Sequence, residues 1–153
     1  MLVVGFGNAL AADDGAGPAV VERLRAAGLP EGLRAEDGGQ DALCLAARWE
    51  GEPEVWLVDA LIRGAPAGTI HRVGHEELVA IPQRHATAHQ LSLPECLRWL
   101  SLVHPEMAGL RYRLWGVEPE RVALAEGLSP AVASAVLAVA EELRGALGGS
   151  PPA

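Results

Sequence analysis

Several carboxylates and one imidazole occur in this sequence where the loops at one edge of a parallel sheet would meet. Asp59 comes directly after the apolar run Val55–Val58, Asp13 and Asp14 follow the first predicted strand, and His89 stands near the start of a later helix. In open α/β sheets, ligands bind beyond the carboxyl ends of the strands. Two carboxylates with one imidazole suit a borderline divalent metal such as zinc or nickel and leave coordination positions open. Such a set binds weakly when it stands alone, so it suits a metal that arrives bound to something else.

Asp59 gives the strongest of these signals. A carboxylate directly after four apolar residues is partly desolvated and needs a hydrogen-bond network, a cation or a metal. One of Asp13 and Asp14 can be explained as the cap of the helix that follows. A cap requires a single carboxylate, so we expect Asp14 to face the site and Asp13 to be structural. His89 alone is ambiguous, because residues 87–90 also fit a capping box.

The periodicity of apolar residues predicts the elements that position these side chains. The residues after 73 and up to 89 read mostly as loop. Strands separated by helices predict a three-layer α/β/α sandwich, with about five strands in a mostly parallel twisted sheet. The strand at 69–73 follows its predecessor without a helix, so it should be antiparallel or lie at an edge. The predicted strands are Leu2–Val4, Leu33–Ala35, Val55–Val58, Thr69–Val73 and Leu110–Val117, and the predicted helices are Pro18–Ala27, Asp41–Trp49, Leu91–Val103 and Ser129–Leu147.

Length and charge exclude several classes of function. The 153 residues predict one domain over 1–149 with a frayed tail at 150–153. The net charge is −8 and all 12 basic residues are arginine, which excludes a Schiff-base or P-loop lysine and disfavours nucleic acid as a partner. No apolar run approaches the roughly 20 residues that a bilayer requires. We therefore expect a cytoplasmic protein that does not insert into membranes.

Five short motifs, spread from residue 3 to about residue 120, resemble those of the hydrogenase maturation endopeptidases and occur in that family's order. The first contains Gly5-x-Gly7, whose spacing to the next glycine does not fit a dinucleotide fingerprint. The five motifs are Gly5-x-Gly7-Asn8-x-Leu10-x-x-Asp13-Asp14-Gly15-x-Gly17, Asp37-Gly38-Gly39, Val58-Asp59-Ala60, Ala88-His89-Gln90-Leu91 and Gly116-Val117-x-Pro119-Glu120.

The resemblance implies a function that composition does not reveal. Enzymes of this family remove a C-terminal extension from the large-subunit precursor of nickel–iron hydrogenases after nickel has been inserted. The resemblance places the catalytic and metal-contacting roles on Asp14, Asp59 and His89. It also implies that the substrate presents the nickel and that no permanently bound metal is needed. A metal-dependent or an aspartyl-type peptidase would be consistent with these residues.

Two positions depart from the pattern of the family. Asp14 stands where some relatives have Glu, and the shorter side chain still supplies an oxygen ligand. Gln40 stands where many relatives have a small hydroxyl residue, which argues against a hydroxyl role there. One carboxylate, for instance Asp14, could act as a general base instead of a ligand.

Two other classes of function use the same residues. A non-enzymatic, nickel-dependent chaperone or carrier that docks on the immature large subunit would need the same ligands. A nucleotide or small-molecule hydrolase on a similar sandwich is a third reading. Cleavage of the precursor by the isolated protein would distinguish the endopeptidase from the chaperone or carrier and from the other hydrolase.

Overall fold

The described residues, 1–82 and 92–148, of a computed structural model form five strands and five helices. Short 3-10 turns at Ala12–Gly15, Ala42–Cys44 and Pro105–Met107 lie between them. The strands are β1 Leu2–Phe6, β2 Arg34–Gly39, β3 Glu54–Ala60, β4 Ile70–Val73 and β5 Arg111–Val117. The helices are α1 Ala16–Ala26, α2 Leu45–Arg48, α3 His75–Ala80, α4 Leu93–Val103 and α5 Pro130–Gly148.

The five strands form one sheet in the order β2-β1-β3-β5-β4. Neighbouring strands are parallel except for β4, which runs antiparallel to β5 at one edge, as the sequence predicts. β3 lies between β1 and β5, and its side chains pack alternately into the cores on the two faces of the sheet, which explains its unbroken apolar run Val55–Val58. The carboxyl ends of β1, β3 and β5 therefore meet at one edge of the sheet.

Side chains alternate between the two faces of the sheet and build two cores. Val3 and Trp56 belong to the core under α1 and α5, whereas Val4 and Leu57 belong to the core under α2, α3 and α4. Helices thus cover both faces, and the predicted three-layer α/β/α sandwich is confirmed. The helical residues of the first core include Val20, Leu24, Val132, Val136 and Leu143, and those of the second include Leu45, Leu78, Leu97 and Leu100.

The prediction of loop after residue 73 is wrong at α3. This helix has six residues and one fully buried side chain, Leu78, so it lacks a repeating apolar pattern. It nevertheless closes the sheet edge where β4 stops, because Nδ1 of His75 accepts a hydrogen bond of 3.1 Å from the backbone N–H of Tyr112.

Other element bounds shift in ways that matter for the site. β1 continues to Phe6 and β3 continues through Asp59 to Ala60, so Asp59 is part of its strand. The predicted helix 41–49 is a 3-10 turn followed by the four residues of α2, and it stops because Trp49 is extended. Residues 83–91 and 149–153 lie outside the described residues, and with them His89, the possible capping box at 87–90 and the predicted tail.

Candidate active site

Asp59 lies at the carboxyl end of the central strand and is only partly exposed. Its Oδ1 accepts a hydrogen bond of 2.8 Å from the N–H of Ala60. Burial, with a smaller contribution from the negative charge of Asp14, raises the pKa of Asp59 from the ordinary 3.8 to about 7 despite that bond. A carboxyl group with a pKa close to neutrality can both accept and donate a proton under working conditions.

Asp14 reaches the same edge of the sheet from the 3-10 turn between β1 and α1. Its Oδ2 accepts a hydrogen bond of 2.8 Å from the N–H of Asn8, and Oδ1 of Asn8 accepts one of 2.9 Å from the N–H of Leu10. The loop after β1 is thus folded around the Asp14 carboxylate. Its negative charge contributes to the raised pKa of Asp59, so the two predicted site residues lie within electrostatic range of each other at this edge.

The glycines of the first motif allow backbone segments to approach each other around these acids. Gly7 has φ +132°, and a Cβ atom there would lie 1.8 Å from the carbonyl oxygen of Asp14. A Cβ atom at Gly17 would lie 2.2 Å from the carbonyl oxygen of Phe6 and 2.7 Å from that of Val58. The start of α1 is therefore pressed against the ends of β1 and β3, which places Asp14 beside Asp59.

Gly7→Ala should displace the Asp14 turn and destabilise the fold, because both the backbone conformation and the space exclude a methyl group. We expect the free energy of unfolding to fall by about 2–4 kcal/mol, measured by urea denaturation. Gly28→Ala is the matched control, since Gly28 also has positive φ, +81°, but nothing lies within 4 Å of a Cβ atom there. Equal losses in the two variants would show that close approach at Gly7 is unimportant.

Asp13 has a different role from its neighbour. It is buried, and its carboxylate accepts hydrogen bonds from the N–H groups of Glu120, Arg121 and Ser129 and from the Ser129 hydroxyl, at 2.7–3.0 Å. Burial opposes ionisation, but the hydrogen bonds from Ser129, Arg121 and Glu120 outweigh it and lower the pKa of Asp13. The expectation that Asp13 is structural is thus supported, although it anchors the segment after β5 rather than capping α1.

A strained residue precedes the two acids. Ala12 has φ +51° and is buried, and its N–H donates a hydrogen bond of 2.9 Å to the carbonyl of Ala125. The N–H of Asp13 donates one of 3.1 Å to the carbonyl of Arg121. Left-handed backbone at a residue other than glycine costs on the order of 1–3 kcal/mol and persists where the surroundings enforce it. Here the hydrogen bonds to the segment after β5 hold this turn in place. In it, the Asp13 side chain faces that segment and the Asp14 side chain faces Asn8.

Comparison with known proteins identifies the family. The model of the family described as hydrogenase maturation protease matches residues 18–145. The chain belongs to the hydrogenase maturation protease family. It is 30% identical over 148 residues to the hydrogenase expression/formation protein HupD of Rhodobacter capsulatus, an alignment that covers 94% of this chain and 70% of HupD.

Two further relatives agree with this membership. A Methanocaldococcus jannaschii protein assigned as a hydrogenase maturation protease is 31% identical over 100 residues, which cover 64% of this chain and 65% of that protein's own length. The structure of the hydrogenase maturating endopeptidase HybD from E. coli superposes with a TM-score of 0.78 and 28% identity, over 96% of this chain and 91% of HybD. The family and its fold confirm the expectation of a peptidase on an α/β sandwich.

The third residue that the resemblance to this family implies, His89, lies outside the described residues. Within residues 1–82 and 92–148, no three His, Cys, Asp or Glu side chains are grouped so that they could hold a metal ion. Asp14 and Asp59 are the two implied residues that the structure describes, and both lie at the edge of the sheet where the strands end. No helix among the described residues is long and apolar enough to cross a membrane.

The departure at Gln40 leaves the preceding turn of this family intact. Oδ1 of Asp37 accepts a hydrogen bond of 2.8 Å from the N–H of Gly39, and the Gly39 carbonyl accepts one of 2.8 Å from the N–H of Gly7. The second motif is thus tied to the loop that carries Asp14. Gln40 itself is exposed.

Sequence reasoning missed Glu118, a buried carboxylate in the segment after β5. It accepts hydrogen bonds of 2.9–3.0 Å from the N–H groups of Arg63 and Gly64, and it lies 2.8 Å from Nε2 of His71. Burial opposes its ionisation, but the bonds from Arg63, His71 and Gly64 lower its pKa. Glu118 thereby fixes the loop that follows Asp59. The sequence signal that could have identified Glu118 is the one that identified Asp59, a carboxylate directly after an apolar strand.

Proposed function

We propose that this protein is an endopeptidase that removes the C-terminal extension of a nickel–iron hydrogenase large-subunit precursor after nickel insertion. The observation that carries the proposal is the desolvated carboxyl group of Asp59, which lies with Asp14 at the edge of the sheet where the strands end. Membership of the hydrogenase maturation protease family supports this choice among the reactions that two neighbouring carboxyl groups can perform.

Asp14, Asp59 and His89 would complete the coordination of a nickel ion that the substrate already holds. Carboxylate oxygen and imidazole nitrogen are suitable ligands for nickel, and their small number is consistent with a metal that is delivered by a partner. Binding the metal would place the neighbouring peptide bond of the substrate next to the two acids. Recognition of the nickel would then restrict cleavage to precursors that are already loaded.

The two acids have unequal environments, which suits a hydrolytic reaction. A water molecule that attacks the scissile carbonyl carbon must lose a proton, and the departing amine must gain one. Asp59 can take up and return a proton near neutral pH because of its raised pKa. Asp14, which accepts the N–H of Asn8, would act as a ligand or as the base.

Incubation of the purified protein with nickel-loaded and nickel-free precursor tests the proposal. We expect tail removal, followed by mass spectrometry, with the loaded precursor only. His89→Ala should abolish that cleavage, and His104→Ala, which changes a partly exposed histidine at the end of α4, is the matched control. Equal cleavage of both precursors would contradict recognition of nickel. Tight binding of the loaded precursor without cleavage would instead support the chaperone or carrier function.

A further inference from the structure

Four large apolar side chains are exposed on the loops that surround the two acids. Leu124 is 96% exposed, Ile62 75%, Leu10 63% and Val122 54%. Leu10 follows β1, Ile62 follows β3, and Val122 and Leu124 follow β5. These strands are adjacent in the sheet, and Asp14 and Asp59 lie at the same carboxyl ends. We call Leu10, Ile62, Val122 and Leu124 the apolar rim.

Hydrogen bonds join the loops of the apolar rim into one surface. The N–H of Ala125 donates to the carbonyl of Leu10 at 3.2 Å, so the loops after β1 and β5 run side by side. The loop after β3 is tied to the segment after β5 through Glu118, which accepts the N–H of Arg63 next to Ile62. The backbone of the rim residues is therefore held in place by these hydrogen bonds, although their side chains face solvent.

Two buried carboxylates next to these loops, Asp13 and Glu118, provide this rigidity. Asp13 anchors residues 120, 121 and 129, and Glu118 anchors residues 63 and 64. Burying two carboxylates is unfavourable unless their hydrogen bonds are satisfied, and here each accepts several. A surface that is ordered before binding loses less conformational entropy when a partner docks.

We propose that the apolar rim docks on the folded body of the protein whose chain is cut between the two acids. This inference rests on the proposed function and adds the surface that selects the substrate. Exposed apolar side chains that cluster around a site mark it as a place where another molecule binds. A protein segment that reaches Asp59 brings the rest of that protein over the three loops. The rim spans three adjacent strands, or about 10 Å, which is wider than one extended peptide.

A second copy of this chain is a less suitable occupant of the rim. It would cover Asp14 and Asp59 and exclude any substrate from them. Another apolar group, Leu102 and Val103 at the end of α4, is exposed but lies on no loop that carries an acid of the site. That group therefore serves as an internal control for exposed apolar surface as such.

The test compares the double variant Val122→Ser/Leu124→Ser with the matched double variant Leu102→Ser/Val103→Ser. We expect the first to raise the KM for the nickel-loaded precursor about tenfold with kcat unchanged, because apolar area is no longer buried on docking. The second should change KM less than about twofold. Thermal unfolding of both variants should match that of the wild type, since the altered side chains are exposed. Equal KM values for the two variants would overturn the proposal.

Direct binding separates failure of the rim from failure of the proposed function. If the wild-type protein binds the precursor without cutting it, the proposed function fails. Docking on the apolar rim is then tested by the Kd for the precursor, which only the rim variant should raise. If the wild-type protein neither binds nor cuts, both proposals fail. Sedimentation velocity tests whether a second copy of this chain occupies the apolar rim instead. A wild-type dimer that becomes monomeric in Val122→Ser/Leu124→Ser would overturn docking of the substrate.

Discussion

Asp59→Asn should reduce the rate constant of precursor cleavage between about 100-fold and 10,000-fold, the range that a proton-transferring side chain contributes. The amide keeps the shape of the carboxyl group but can neither take up a proton nor offer a charged oxygen to a metal. A single-turnover assay on the nickel-loaded precursor measures the loss. Glu141→Gln, which changes an exposed carboxylate on α5, should leave the rate unaltered.

The same substitution should stabilise the fold at high pH. The pKa of Asp59 is raised from 3.8 to about 7, so the folded state favours the protonated form. The stability that this preference contributes is fully present below pH 3.8 and is lost as the pH rises through 7. Above it, the buried charge lowers the free energy of unfolding by about 2–4 kcal/mol. Asp59→Asn removes this charge, so its Tm should exceed that of the wild type at pH 8 and match it only below the unfolded pKa, at about pH 3.5.

Calorimetry at both pH values distinguishes this from a structural role for Asp59. A variant that is less stable at pH 8 would show that the ionised carboxylate holds the fold together. In that case the loss of cleavage would follow from unfolding, and the assignment of Asp59 to the reaction would lose its basis.

The sheet was predictable where the apolar pattern was strong. The run Val55–Val58 identified the central strand, and the missing helix before Thr69–Val73 identified the antiparallel edge strand β4. α3 was not predictable, because only Leu78 of its six residues is fully buried and a single apolar residue has no period. Helix limits set by side-chain partners, as at Trp49, whose indole N–H donates to the Glu52 carbonyl, also escaped the pattern.

The site was predictable to the extent that its signals are local. Asp59 stands out because four apolar residues precede it, and the same rule, applied to Glu118, would have found that residue as well. The roles of Asp13 and Asp14 could not be separated with certainty from the sequence. The partners of Asp13 lie 107 to 116 residues further along the chain, and only the fold brings them to it. The position of His89 stays a prediction.

Asp13→Ala and Asp14→Ala should have opposite consequences although the two residues are neighbours. Asp13→Ala leaves three N–H groups and a hydroxyl without their acceptor, and hydrogen bonds to a charged group contribute about 1.5–3 kcal/mol each. We expect the Tm to fall by about 5–15 °C, because the segment after β5 loses its anchor. Asp14→Ala should lower the Tm by less than Asp13→Ala does yet abolish cleavage, since the Asp14 carboxylate accepts only one bond of this kind, from Asn8.

Two further measurements test why Asp13 stabilises the fold. Ser129→Ala deletes only the hydroxyl contact and keeps the Ser129 N–H bond to Asp13, so its loss should be about 1 kcal/mol. The pKa of Asp13 is lowered below 3.8, so its contribution is present above that pH and is lost as the pH falls through the lower folded value. The Tm difference between wild type and Asp13→Ala should therefore shrink below pH 4. A difference that is constant down to pH 2 would mean that packing of the side chain, and not its charge, fastens these loops beside Asp14 and Asp59.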